Sequence, residues 1–218
     1  HAALINLGYS RKGLGISLSA KSVDNMSYRS DRTKGLADLF INYLPAMNKT
    51  HTYNLVATLY PYATQPLGEI AYQAEVLYTI PKGKGGGKYG IPININYSAA
   101  FQPLRHTRGF AMPGDTSRIT YRGNPFDMTD SLLWQDINVN VTYKFNKSFY
   151  LIGSYFNIAI NNDVSKVTET AHGIINAHIA VLEAGWKINK KHNLRAELQA
   201  LFTTNKKMAG FNYQTDKD

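Results

Sequence analysis

Two strictly alternating runs joined by a glycine-rich turn constrain this chain more than anything else in it. Over residues 69–80, Ile70, Tyr72, Ala74, Val76, Tyr78 and Ile80 alternate with Glu69, Ala71, Gln73, Glu75, Leu77 and Thr79. Over residues 91–101, Ile91, Ile93, Ile95, Tyr97, Ala99 and Phe101 alternate with Pro92, Asn94, Asn96, Ser98 and Ala100. A period of two puts each set on one face of a sheet. One face is apolar, with aromatics towards its ends; the other carries carboxylates and amides. Each arm is long enough to cross a hydrocarbon layer as a tilted strand. Apolar outside and polar inside is how a membrane β-barrel hairpin is written. A soluble sandwich can alternate too, so the weight falls on repetition along the chain.

The alternation recurs. Besides 69–80 and 91–101, strands are expected over 3–10, 14–22, 36–44, 51–60, 134–145, 148–160, 173–188 and 193–202, ten in all. Connections after the odd-numbered strands are short and those after the even-numbered ones mostly longer, as in outer-membrane barrels with tight periplasmic turns and long outer loops. Spacing this regular leaves no room for βαβ units. The fold class expected is therefore all-β: an antiparallel up-and-down meander, either a transmembrane β-barrel or a ten-strand portion of a larger one, as a single domain over 1–218. The breakers Gly109, Pro113, Gly114, Gly123 and Pro125 mark 102–133 as the longest irregular stretch, a plug or an outer loop. Residues 148–160 and 173–188 are apolar on both faces, which fits a sandwich core or a barrel wall covered by an inward-folded loop; 102–133 is the candidate loop.

From the two faces follow two sets of residues. Lumen-lining candidates are Asp38, Asn42, Glu69, Gln73, Glu75, Asn94, Asn96, Asn138, Asn140, Arg195, Glu197 and Gln199. Lipid-facing candidates are Ile70, Tyr72, Ala74, Val76, Ile93, Ile95, Val139 and Val141. Tyr43, Tyr53, Tyr78, Tyr143, Phe145 and Phe149 flank the short turns, and Tyr60, Tyr97, Phe101 and Tyr155 lie near the opposite ends. Two interfacial aromatic girdles are expected from them.

The formal charge of +9 is placed unevenly. Arg11, Lys12, Lys49, Lys82, Lys84, Lys88, Lys144, Lys147, Lys187, Lys190 and Lys191 lie in or beside the short turns, where no acid lies. Side-by-side hairpins would make one basic rim, suited to an anionic phospholipid leaflet or simply to solubility. The charges are not interleaved with a stacking surface, so no nucleic acid is expected.

Mean hydropathy of −0.30 suits a soluble chain, but barrels escape hydropathy because half of each strand is polar. No apolar run approaches a transmembrane helix. Cysteine is absent, which excludes disulfides and thiolate metal sites. The GKGGGKYG run at 83–90 lacks phosphate-loop spacing, has Tyr89 where Ser or Thr belongs, and reads as a hairpin turn. The six histidines have no metal spacing, and Asp115, Asp127 and Asp130 lack a calcium-loop frame. No nucleophile elbow stands out. Glu69 and Glu75 are too far apart along one strand for a carboxylate dyad, and Arg195 and Glu197 read as a structural pair. Neither catalysis, a metal nor a cofactor is expected.

The stretches INLGYSRKGLG (5–15), DNMSYRSDR (24–32), NYLPAMNKTHTYNLVATLYPYATQPLGE (42–69), GGKYG (86–90) and INKKHNLRAELQALFT (188–203) resemble a Bacteroidota family of outer-membrane β-barrel proteins that carries no assigned function. The resemblance implies outer-membrane location, lipid as a partner and long loops open to other envelope proteins; it carries over no site residue. Members look longer than this chain. Together with a tail after Phe202 that shows no aromatic-ended final strand, this leads to the expectation of a segment of a larger barrel. The expected function is a channel, transport or accessory protein of the envelope. The alternative is a soluble β-sandwich binding module for carbohydrate or protein, with Tyr60-Pro61-Tyr62 as a stacking platform.

Overall fold

The computed structural model describes residues 1–24, 26, 28–31, 33, 40–41, 46–59, 62–65, 68–108, 120–165, 173–209 and 212–216. The described residues are all-β apart from two short helices. In order, it runs β1 (Ala2–Arg11), β2 (Leu14–Asp24), β3 (Tyr28–Arg29), β4 (Phe40–Ile41), α1 (Asn54–Leu59), β5 (Gly68–Ile80), β6 (Ile91–Arg108), β7 (Thr120–Lys144), β8 (Phe149–Asn161), α2 (Asn162–Ser165), β9 (Ile174–Lys187), β10 (Asn193–Ala209) and β11 (Asn212–Asp216). Nine strands form one antiparallel sheet in the order β1-β2-β5-β6-β7-β8-β9-β10-β11, and β3 pairs with β4 apart from it. The sheet is not closed: β1 and β11 are its two ends.

Because every neighbour is antiparallel, residues 12–13, 81–90, 145–148 and 188–192 all turn the chain at one end of the sheet. The strand ends Asp24, Gly68, Arg108, Thr120, Asn161 and Ile174 lie at the other. The short connections hold the basic residues Lys12, Lys82, Lys84, Lys88, Lys147, Lys190 and Lys191, all exposed. Arg11, Lys144 and Lys187 stand on the adjoining strand ends, exposed as well.

Register carries the period-two pattern across strands without slipping. Leu7, Leu18, Ala74, Tyr97, Ile137, Asn157 and His178 stand in one row of partners on one face. Ser17, Glu75, Asn96, Asn138, Phe156, Ile179 and Leu201 stand in a row on the other. The second face is the inner one, because residues 46–59 and 62–65 lie against it.

Four expectations are corrected. The hairpin expected over 36–60 is not part of the main sheet: β2 pairs directly with β5, and residues 54–59 are helical. The run HTYNLVATLY is too short for periodicity to separate strand from helix; burying Tyr53 and Val56 together, three apart, selects the helix. Most of 36–44 lies outside the described residues. Second, 102–108 and 120–133 belong to β6 and β7, leaving only 109–119 between them, outside the described residues. The ladder absorbs the breakers through register shifts around Phe101, Pro103 and Arg105, and Phe126 takes a positive φ of 69° directly after Pro125. Extra residues leave an antiparallel ladder as bulges rather than ending it. Arg105 then fastens β6 to the end of β2, its Nη2 2.8 Å from Asp24 Oδ1. Third, the tail continues as strand: β10 reaches Ala209 and pairs with β11 through Asn205↔Asp216 to Ala209↔Asn212. Fourth, the cover over β8 and β9 comes from residues 46–59 and 62–65, not 102–133.

A candidate interior site: the strapped inner face

The hydrophobic cluster joins the inner face of the sheet to residues 46–59 and 62–65. Met47, Tyr53, Val56 and Tyr62 from the segment pack with Ala71, Ala100, Trp134, Phe156, Ile158, Ile160, Ala177, Ile179 and Val181 from β5 to β9. This explains why β8 and β9 are apolar on both faces: each has its inner side chains under the segment. Tyr62 stacks on Trp134 at 5.2 Å between centroids and 14° between planes. Phe156 receives the edges of His51 at 5.0 Å and Tyr53 at 6.0 Å. Such ring pairs add to area burial.

Polar bonds fix the segment's course. Lys49 Nζ donates to Glu75 Oε1 on β5 at 2.9 Å. His51 Nε2 is 2.6 Å from Asp136 Oδ2 on β7. The Tyr53 hydroxyl donates to Glu183 Oε2 on β9 at 3.2 Å. The Leu55 amide donates to Gln199 Oε1 on β10 at 3.1 Å. Alternate residues 49, 51, 53 and 55 thus step across β5, β7, β9 and β10. After α1 the chain returns: the Tyr62 hydroxyl donates to Glu69 Oε2 at 2.5 Å, and Thr64 Oγ1 accepts from Lys21 Nζ of β2 at 2.7 Å. The segment is a strap laid across the sheet and bonded through side chains.

Its two ends are electrostatically closed. Glu69 and Lys21, both fully buried, stand 2.7 Å apart, and Glu69 Oε2 also accepts from the Gln65 amide at 2.8 Å. Buried charges persist only with such partners. At the other end Glu183 accepts from Tyr53, from Arg195 Nη2 at 2.8 Å and from Tyr150 at 3.4 Å. Gly185 is the floor under the Tyr150 ring; a Cβ there would lie 2.1 Å from Tyr150 Cζ. Arg195 Nη2 also reaches Glu197 Oε2 at 2.8 Å, as expected, and Gln199 Nε2 donates to Glu197 Oε1 at 2.5 Å. Burial, with the Glu69 carboxylate beside it, pushes the Tyr62 phenol well above its ordinary value. Burial likewise raises Tyr53. Both phenols are donors to carboxylates, a role that requires the proton.

Of the twelve lumen-lining candidates, ten share this inner face: Glu69, Gln73, Glu75, Asn94, Asn96, Asn138, Asn140, Arg195, Glu197 and Gln199. Asp38 and Asn42 lie outside the described residues. The amides donate to neighbours on this face: Gln73 to Asn96 at 3.1 Å, Asn96 to Ser98 at 3.1 Å, Asn138 to Asp136 at 2.9 Å, and Asn94 to Glu75 at 2.9 Å. Asn96 and Asn138 are fully buried. Missing from the candidates were Lys21, His51, Tyr53, Tyr62, Asp136 and Glu183. The signal for Glu183 was present: a lone carboxylate in register with Ile179 and Val181 must have a partner. Lys49, expected at a turn, is instead an interior cation.

The eight lipid-facing candidates all lie on the opposite face. Ile70 is buried outright; the other seven are partly or largely exposed. Around them Ile5, Leu7, Tyr9, Leu18, Tyr78, Tyr97, Ile137, Tyr143, Tyr155, Leu182, Trp186, Leu194, Leu198 and Phe202 are exposed on that same face, Leu198 at 73%. Tyr9, Tyr78, Tyr143, Phe149 and Trp186 stand on it close to the basic end, and Phe145 packs between Tyr143 at 4.7 Å and Phe149 at 5.4 Å. Tyr53, expected in that girdle, is in the interior; Tyr43 and Tyr60 lie outside the described residues. At the far end a cleft of mixed polarity is lined by Thr129, Asp130, Ser131, Leu132, Asn161, Asp163, Gly173 and Ile174. Among the described residues no group of three or more His, Asp or Glu side chains could hold a metal ion, and no helix is long and apolar enough to cross a membrane.

The chain belongs to DUF6029, a family of unknown function. The family model matches residues 1–212. No curated protein matches the chain, and no solved structure matches it.

Proposed function

We propose that the sheet is wall of an outer-membrane β-barrel of the Bacteroidota type that the sequence resembles. It is a non-enzymatic channel or accessory subunit of an envelope complex, and the strap narrows its interior. The observation that carries the reading is the largely apolar outer face, interrupted at Asn157 and His178. Every long strand except β11, whose side chains are not described, offers large apolar groups there, more than a third exposed. Soluble proteins rarely leave so much contiguous apolar surface open, and a soluble sandwich would cover this face with a second sheet. Lipid on one side and bonded polar groups on the other is the distribution a membrane strand needs. The aromatic belt beside a basic end adds interfacial anchoring. The cleft at the far end is a surface open to other envelope proteins or a solute.

Detergent dependence tests the membrane reading: the native protein should need detergent or lipid to remain dispersed, and a monodisperse monomer in plain buffer would refute it. Membrane-impermeant labelling of intact cells should spare Lys82, Lys84, Lys88, Lys190 and Lys191 on the periplasmic side; strong labelling would invert the topology. Conductance separates the two roles. Replacing Lys49, His51 and Tyr53 together by alanine frees the strap and should raise single-channel conductance in planar bilayers. Unchanged silence would leave the accessory role.

A further inference from the structure

We propose, resting on the membrane reading, that the outer face of β1, β2, β5 and β6 binds one anionic glycerophospholipid. Its phosphate lies on the two basic turns above that face, and one acyl chain lies in a groove between Leu18 and Tyr97.

The groove comes from two small side chains set diagonally. Ala74 stands between Leu18 and Tyr97 in one row of partners, and Ala20 stands between Ile5 and Tyr72 in the next. The larger neighbours rise on either side, and the resulting groove is lined almost wholly by apolar groups. From this row towards the turns the surface continues through Tyr9, Ile16, Val76 and Ile95, all apolar or aromatic. Leu7 is four residues from Arg11, roughly 13 Å along the strand. That is within one leaflet of a hydrocarbon core about 30 Å thick, so a chain seated in the groove has its headgroup at the rim.

The rim there is positive. The β1–β2 turn brings Arg11 and Lys12, and the β5–β6 turn brings Lys82, Lys84 and Lys88, all exposed. The two turns are held side by side, the Thr79 amide donating to the Gly13 carbonyl at 2.9 Å. No Asp or Glu lies in either turn. The pairing of this charge with the apolar groove below it singles out an anionic lipid rather than a neutral one or a protein segment. A cation near an anionic surface is worth about 1 kcal/mol, or about fivefold in affinity for each charge engaged.

The test is native mass spectrometry from neutral detergent with phosphatidylglycerol and phosphatidylcholine of the same acyl length. One phosphatidylglycerol per chain should be retained, at least about fivefold in preference to phosphatidylcholine. Arg11→Gln/Lys12→Gln/Lys82→Gln/Lys84→Gln/Lys88→Gln should abolish the preference. Ala74→Trp, which fills the groove and faces outward, should lower retention with every charge intact, and Ala20→Phe should do the same. Lys190→Gln/Lys191→Gln, on a distant hairpin, should change nothing. Equal retention of both lipids, or an equal loss with the distant pair, overturns the proposal in favour of a general basic rim. A protein that inserts into bilayers without selecting a lipid ends this proposal alone; one that never inserts ends the membrane reading as well.

Discussion

The two faces of the sheet are built from alternate residues of the same strands, yet they meet opposite requirements. On the outer face, side chains such as Leu182 and Leu198 are apolar and exposed. On the inner face, one residue away, Glu183 and Glu197 are charged and held by Arg195. The usual soluble arrangement of apolar groups inside and charges outside is inverted over most of the sheet. Where the inner face is apolar, at Phe156, Ile158 and Ile179, the strap covers it. Where it is ionic, at Glu69, Glu75, Asp136 and Glu183, the strap or a neighbouring strand supplies the partner. The lesson is that polarity in a strand reports which face a residue is on, while burial depends on what lies over that face.

Unpairing the inner charge has the largest expected effect. Lys21→Met leaves Glu69 buried without its cation and should cost about 3–5 kcal/mol, read by denaturant unfolding in detergent. Adding Glu69→Gln should recover most of it, because the amide still accepts from Tyr62 and Gln65. A double variant as unstable as the single would mean that packing, not charge, holds this end of the strap. Next comes a pair of neighbours on opposite faces. Leu18→Arg should cost about 2–4 kcal/mol when refolded into lipid, and Ser17→Arg, exposed on the inner face, far less. Equal costs would erase the distinction between the faces. The smallest effect is Tyr53→Phe, which removes one hydrogen bond to a carboxylate that keeps Arg195 and Tyr150; about 1–2 kcal/mol is expected, and a loss the size of Lys21→Met would show that the strap depends on this one link.

Both faces were legible in the sequence because alternation in Ile70–Ile80 or Ile91–Phe101 admits one register once a turn is fixed. The rim was legible because lysines and glycines mark the tight turns. The strap was not. Lys49, His51, Tyr53 and Leu55 do alternate, as a strand would, but they bond the sheet through side chains and run across it; their partners Glu75, Asp136 and Glu183 are far away in sequence. Pro103, Gly123 and Pro125 misled in the other direction, since a bulge in a long hairpin and a true loop draw on the same residues. The lone inner carboxylates were the available hint that something must lie over them.

The two tryptophans offer the most direct test of the inverted arrangement, because they stand on opposite faces: Trp186 outward and half exposed, Trp134 inward and buried beneath Tyr62. Trp134→Phe and Trp186→Phe each leave a single emitter, which can be reconstituted in bilayers of brominated phospholipid. The account predicts strong quenching of Trp186 in the first variant and little quenching of Trp134 in the second. Equal quenching of the two, or an unquenched Trp186 in a folded, lipid-reconstituted protein, would contradict it.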